Sequence, residues 1–162
     1  MHIKPSDIKR ELKKNGKDIL RSKNFLSSDK NIQHSDVSVM KHSIKVAEAS
    51  VWLNRKLHIN CHERELIRGA LLHDYFLYDW HAPDHGRLHG FFHPGIALKN
   101  AMKEYVLTDR EKNIIESHMW PLTLRHIPKC REAWVVTAAD KYISTLESLG
   151  LHKHFKDKKK RK

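Results

Sequence analysis

His42, His73, Asp74, His93, His118 and Asp140 stand in that order along the chain, 31, 1, 19, 25 and 22 residues apart. Imidazoles and carboxylates are the side chains that ligate borderline divalent metals and move protons near neutral pH. Two of the carboxylates sit where a solvated acid would not. Asp140 follows Ala138-Ala139, and the doublet His73-Asp74 follows Ala70-Leu71-Leu72. A buried carboxylate costs several kcal/mol unless it is paired or bound to a metal. His42 lies in the most apolar helical stretch, and His118 ends the apolar side of another. Taken singly, each is best explained as a core histidine with a hydrogen-bond partner. Together they are what a helical bundle needs to converge metal ligands on its interior.

The elements that must position them are helical, with apolar residues recurring at three- and four-residue steps. Residues 5–21 predict a weak N-terminal helix or helix pair, with Ile8, Leu12, Ile19 and Leu20 interrupted by Asn15-Gly16. Residues 22–34 are polar and predict a linker. Ser35 or Asp36 is expected to cap a central helix running to about Lys56. The next helix starts near Cys61-His62 and carries Leu66, Ala70, His73, Asp74 and Leu77 on one face. A loop from Asp79 to Gly90 follows, then a helix from Pro94 to about Tyr105. Thr108 and Glu111 form a capping box that opens a helix bearing Ile114, Ile115 and His118. The last helix, about Arg131 to Leu149, places Ala133, Val136, Asp140, Ile143 and Glu147 on one stripe, and Gly150 stops it. The expected fold class is all-α, with no strand. The expected organisation is an N-terminal helical and linker extension over 1–34, a helical domain over 35–150 and a basic disordered tail over 151–162.

Composition narrows the classes further. The two cysteines, Cys61 and Cys130, lie 69 residues apart with no CxxC pair, which excludes a zinc ribbon or a disulfide framework. A reduced, cytoplasmic compartment is expected. No signal peptide or membrane span is expected, since the N-terminus lacks an apolar core and no apolar run is long enough. The net charge is +12, and seven of the ten residues from Lys153 to Lys162 are Lys or Arg. Such a field attracts phosphorylated small molecules or, through the tail, nucleic acid.

Three segments carry a family resemblance. Met40-Lys41-His42-Ser43-Ile44-Lys45-Val46-Ala47 resembles the first-histidine helix of the HD-domain metal-dependent phosphohydrolases. Ala70-Leu71-Leu72-His73-Asp74 resembles their His-Asp doublet, and Ala138-Ala139-Asp140-Lys141 their closing aspartate. The resemblance covers roughly residues 36–148 and implies an HD-domain helical bundle holding a metal on His42, His73, Asp74 and Asp140. His93, in Phe92-His93-Pro94-Gly95, and His118 match the extra ligands of the two-metal branch, where the doublet's aspartate, here Asp74, bridges the ions and takes part in catalysis. The chain departs from the usual form in having Tyr75-Phe76 after the doublet, and it lacks the Gly-Tyr-Pro element of the cyclic-di-GMP-cleaving branch.

The implied activity is hydrolysis of a nucleotide or other small phosphate ester, mono- or diester, by a hydroxide activated on two divalent transition ions among Fe, Mn, Co, Ni and Zn. His89, as a catalytic group, and Arg87 are expected at the rim, in a loop where His81, His85, His89 and His93 recur at spacing four. Lys45 and Lys141 are expected to meet a phosphate. Trp120 is expected to pack in the core rather than on a base, and His2, His34, His58, His62, His152 and His154 to lie on the surface. Two other readings stay open: the mixed-valent di-iron oxygenases of the same superfamily, and a module of this fold that binds a ligand or nucleic acid without turnover.

Overall fold

A computed structural model describes residues 3–79, 81 and 89–151, with His89 described by its backbone alone. The expectations for Arg87, for His85, for the His89 side chain and for the tail from His152 onward therefore lie outside the described residues. The elements are α1 (Pro5–Asn15), α2 (Lys17–Leu20), α3 (Lys23–Ser27), a 3-10 turn (Ser28–Lys30), β1 (Ile32–His34), β2 (Val37–Ser38), α4 (Val39–Lys56), α5 (Glu63–Leu72), α6 (His89–Glu104), α7 (Asp109–Ser117) and α8 (Arg131–Ser148). The class is mainly α, as expected. Among the described residues, no helix is long and apolar enough to cross a membrane.

α4 is the axis of the bundle because its buried residues, from Val39 through His42, Val46 and Ser50 to Asn54, recur at helical spacing over a wide arc. α5 and α8 pack along it, and α7 lies against both of these. Val46, Ala47, Val51, Leu66, Ala70, Ile114, Ala133 and Val136 form the centre of one hydrophobic core. Ile8, Leu12, Ile19 and Phe25 enter that same core, so the first helices cover the bundle.

Four local expectations are corrected. Residues 22–34 are not a linker: Ser22 caps α3 by accepting from the Phe25 N–H, and β1 pairs antiparallel with β2. The cap of α4 is Ser38, not Ser35 or Asp36; its hydroxyl accepts from the Lys41 N–H, while Ser35 takes a positive φ of 55° in the turn between the strands. α5 ends at Leu72, so His73, Asp74 and Leu77 are not on its helical face; Leu77 sits at φ 61°, a left-handed conformation that turns the chain away. α6 begins at His89 rather than Pro94, which makes Pro94 an interior residue that lacks one helical hydrogen bond.

α5 and α7 approach closely at Gly69. A Cβ at Gly69 would collide with Ile114, lying 2.8 Å from its Cγ2 and 2.9 Å from its Cβ and nearer still to its Cδ1. Beside it, the buried Arg68 donates to Glu111 Oε1 at 2.8 Å and to both Asp18 carboxylate oxygens at 2.7 Å. The second oxygen of Glu111 accepts the Thr108 N–H at 2.9 Å, completing the capping box of α7. One carboxylate thus caps one helix and ties it to the next.

This packing makes Gly69→Ala a sharp probe. Alanine favours helix by about 1 kcal/mol over glycine, but the overpacked methyl is expected to give a net loss of about 1–3 kcal/mol. Urea unfolding checks this: a lower midpoint at unchanged slope is expected, and the double variant with Ile114→Ala should lose less than the sum of the two single variants.

Candidate metal centre

Five elements deliver the six expected residues to one buried place. α4 supplies His42, the turn after α5 supplies His73 and Asp74, α6 supplies His93, the end of α7 supplies His118 and α8 supplies Asp140. All six are less than a tenth exposed. His42 Nε2 lies 3.1 Å from Asp140 Oδ1 and 3.7 Å from Asp74 Oδ2. His73 Nε2 lies 3.3 Å from Asp74 Oδ2 and 3.7 Å from Asp140 Oδ1. On the other side of Asp74, Oδ1 is 3.1 Å from His93 Nε2 and 3.4 Å from His118 Nε2, and those two nitrogens are 2.8 Å apart.

The ring orientations have local causes. His73 directs Nδ1 to the Ala70 carbonyl at 2.7 Å, and His118 directs Nδ1 to the Ile115 carbonyl at 2.8 Å. Each histidine is the residue that closes its helix, and its side chain takes a carbonyl that the next turn would have used. The donated Nδ1–H fixes the tautomer and leaves Nε2 facing the cluster. His42 directs Nδ1 to Glu147 Oε2 at 2.8 Å, and Glu147 Oε1 accepts from Lys45 Nζ at 2.9 Å. Partners of this kind hold a ligating imidazole in place and raise its basicity.

Charge compensation within the cluster is mutual. Burial works against the ionised Asp74, but His73, His118 and His93 outweigh it and hold the carboxyl well below the usual range. Burial opposes Asp140 in the same way, and His42 with His73 overcomes it. For His42, burial lowers the pKa, while Asp140 and Glu147 together push it up to about 9. His118 goes the other way, lowered by burial and by the neighbouring His73 and His93 despite Asp74.

The residues fit divalent metal. His42, His73 and Asp140 form one buried group with ligand atoms within 4.8 Å of one another, and His73, Asp74 and His118 form a second. Among the described residues, His73 Nε2 and Asp74 Oδ1 are buried with no hydrogen-bond partner, and both face the cluster. Mixed nitrogen and carboxylate donors of this kind suit transition ions rather than calcium or magnesium.

Other expected contacts are placed differently. Lys45 is engaged by Glu147, on the far side of His42 from the ligand nitrogen. Lys141 donates to the His118 carbonyl at 3.1 Å. Trp120 is half-buried and packs edge-on against Trp134. His81 is exposed next to Asp79. His34 is corrected: it is a partly buried neighbour of the site rather than a surface residue, its ring edge-on to His42 at 5.5 Å, and burial lowers its pKa. Sequence reasoning also missed Glu147 and Gln33. Glu147 had a signal, since it shares the α8 stripe with Asp140. Gln33 donates from Nε2 to Asp74 Oδ2 at 2.6 Å, and a glutamine in a polar stretch announces nothing. Comparison with family models, curated proteins and solved structures finds no match for this chain.

Metal binding here must displace protons, because His42 remains protonated up to about pH 9 without metal. Affinity for Zn²⁺ or Co²⁺ is therefore expected to rise between about pH 6 and pH 9, with proton release seen by calorimetry in buffers of different ionisation enthalpy. Glu147→Leu, which leaves His42 Nδ1 unpaired, is expected to weaken metal binding by about 10–100-fold in the same titration.

Proposed function

We propose that this chain is an HD-type metal-dependent phosphohydrolase acting on a nucleotide or another small phosphate ester. The observation that carries the reading is the position of Asp74, whose Oδ2 faces His42 and His73 while its Oδ1 faces His93 and His118. One carboxylate between two sets of imidazoles suits a pair of neighbouring ions, drawn from Fe, Mn, Co, Ni or Zn. His42, His73, Asp74 and Asp140 would hold the first, and Asp74, His93 and His118 the second. Bound there, the ions would supply Lewis-acid activation of water and of a phosphoryl oxygen.

The remaining work falls to the chain itself. The anchored Nδ1 atoms of His42, His73 and His118 keep their ligand nitrogens aimed inward without reorganisation. Phe76, buried with its ring 5.6 Å from that of His93, gives that side of the cluster an apolar wall. The net charge of +12 raises the local concentration of an anionic substrate. Arg87 and His89 are the proposed rim contacts for the phosphate and leaving group, and the basic C-terminal tail is a proposed contact for nucleic acid.

The test is a screen of phosphomonoesters and phosphodiesters over enzyme loaded separately with Mn²⁺, Co²⁺, Zn²⁺ and, anaerobically, Fe²⁺. Release of phosphate or alcohol that chelator abolishes is expected. Asp74→Asn should lower kcat/KM on the order of a thousandfold, the loss of several kcal/mol of transition-state stabilisation. Equal turnover by Asp74→Asn would sink the assignment. Oxygen uptake stoichiometric with product would replace it with an oxygenase. Tight ligand binding without turnover under any metal would replace it with a binding module.

A further inference from the structure

Gln33 lies on β1, outside the stretch in which the six ligand residues fall, yet it reaches the centre of the cluster. The residue is buried, with 7% of its surface exposed. Its Nε2 donates to Asp74 Oδ2 at 2.6 Å. The orientation of the amide follows from that contact: reversed, it would press its carbonyl oxygen against a carboxylate oxygen, two acceptors with no proton between them. The other end of the amide, Oε1, is buried and has no hydrogen-bond partner among the described residues. An unpaired buried amide oxygen is destabilising, and it marks a place where a donor belongs.

The chemistry of the proposed reaction selects the donor. Ionised phosphate esters present oxygens that only accept, so they would be repelled by Oε1. Water brings O–H groups with every substrate of this class, whereas the hydroxyls of the ester itself differ from one substrate to the next. We infer that Gln33 is a positioning residue of this centre, fixing the Asp74 carboxylate through Nε2 and accepting from the attacking water through Oε1. The second half of this inference rests on the phosphohydrolase reading; the first half does not. β1 is held for this task at its end: the Val39 N–H donates to the Asn31 carbonyl at 2.8 Å, which ties the strand to the start of the helix carrying His42.

Gln33→Met keeps the length of the side chain and removes both polar atoms. Co²⁺ titration read by its visible absorption separates positioning from folding, because the ligand-field bands respond to the carboxylate's orientation. The expected result is a folded protein by circular dichroism, with cobalt bound about 10–100-fold more weakly and with displaced bands, and with kcat reduced at nearly unchanged KM. Gln33→Asn keeps the amide but is one methylene short, and is expected to show the same band displacement should the methionine variant fail to fold. Wild-type cobalt affinity and bands in the folded variants would overturn the inference. Displaced bands in a protein whose wild type hydrolyses no phosphate ester would uphold the positioning of Asp74 and overturn both the role towards water and the phosphohydrolase reading.

Discussion

Two carboxylates buried among four imidazoles are the constraint on which this molecule turns. Neither Asp74 nor Asp140 has enough solvent contact to stay ionised alone. Each carboxylate is tolerated because an imidazole whose pKa it raises lies within 3–4 Å, His73 beside Asp74 and His42 beside Asp140. Removing one partner would leave the other uncompensated in the interior, a loss of about 3–5 kcal/mol in comparable buried pairs. The site is therefore part of what holds α4, α5, α6, α7 and α8 in their relative places. A divalent ion suits such a centre because it supplies positive charge to both carboxylates while the imidazoles give up their protons.

The backbone contributes to the same balance. α5 and α7 both terminate at a histidine of the cluster, His73 and His118. The C-terminal end of a helix carries a partial negative charge from its unpaired carbonyls and favours a cation nearby. Two helices thus aim their cation-favouring ends at one point. The Nδ1 bonds to Ala70 and Ile115 take up one such carbonyl each and set the rings at the same stroke. The left-handed turn at Leu77 redirects the chain only after the doublet and the buried Tyr75-Phe76 that follow it.

The sequence carried α4, α7 and α8 legibly through their periodicity and, for α7, its capping box; His42, His73-Asp74, His118 and Asp140 stood out against apolar surroundings, whereas His93 was legible only through the family resemblance. An acid on an apolar stripe, as at Asp140, contradicts its surroundings, and that contradiction is visible without coordinates. What escaped were features decided by tertiary contact. α5 stops at Leu72 because His73 uses its side chain on the ladder's own carbonyl, although the apolar pattern runs on to Leu77. α6 runs through Pro94 at the loss of one helical hydrogen bond, and a proline followed by an apolar periodic run reads locally as a helix start. β1 and β2 together span only five residues and alternate too briefly to signal a strand. Gln33 and His34 matter through what lies across from them, Asp74 and His42, which local sequence does not encode.

The pairing of α5 with α7 shows how packing and chemistry share residues. His73 and His118 cap these two helices, and their ring centres are 4.9 Å apart. One turn before His73, Gly69 lets Ile114 approach in a way that no other residue type would allow. One residue earlier still, Arg68 binds Glu111, which in turn caps the start of α7. The register of one helix on the other is thereby set by a steric contact and a buried ion pair before the ligands are reached. A shift of one helix along the other would separate the two imidazoles by a large fraction of a metal–ligand bond, and these two contacts oppose it. Precision at the centre therefore depends on a glycine and an arginine that touch no ligand at all.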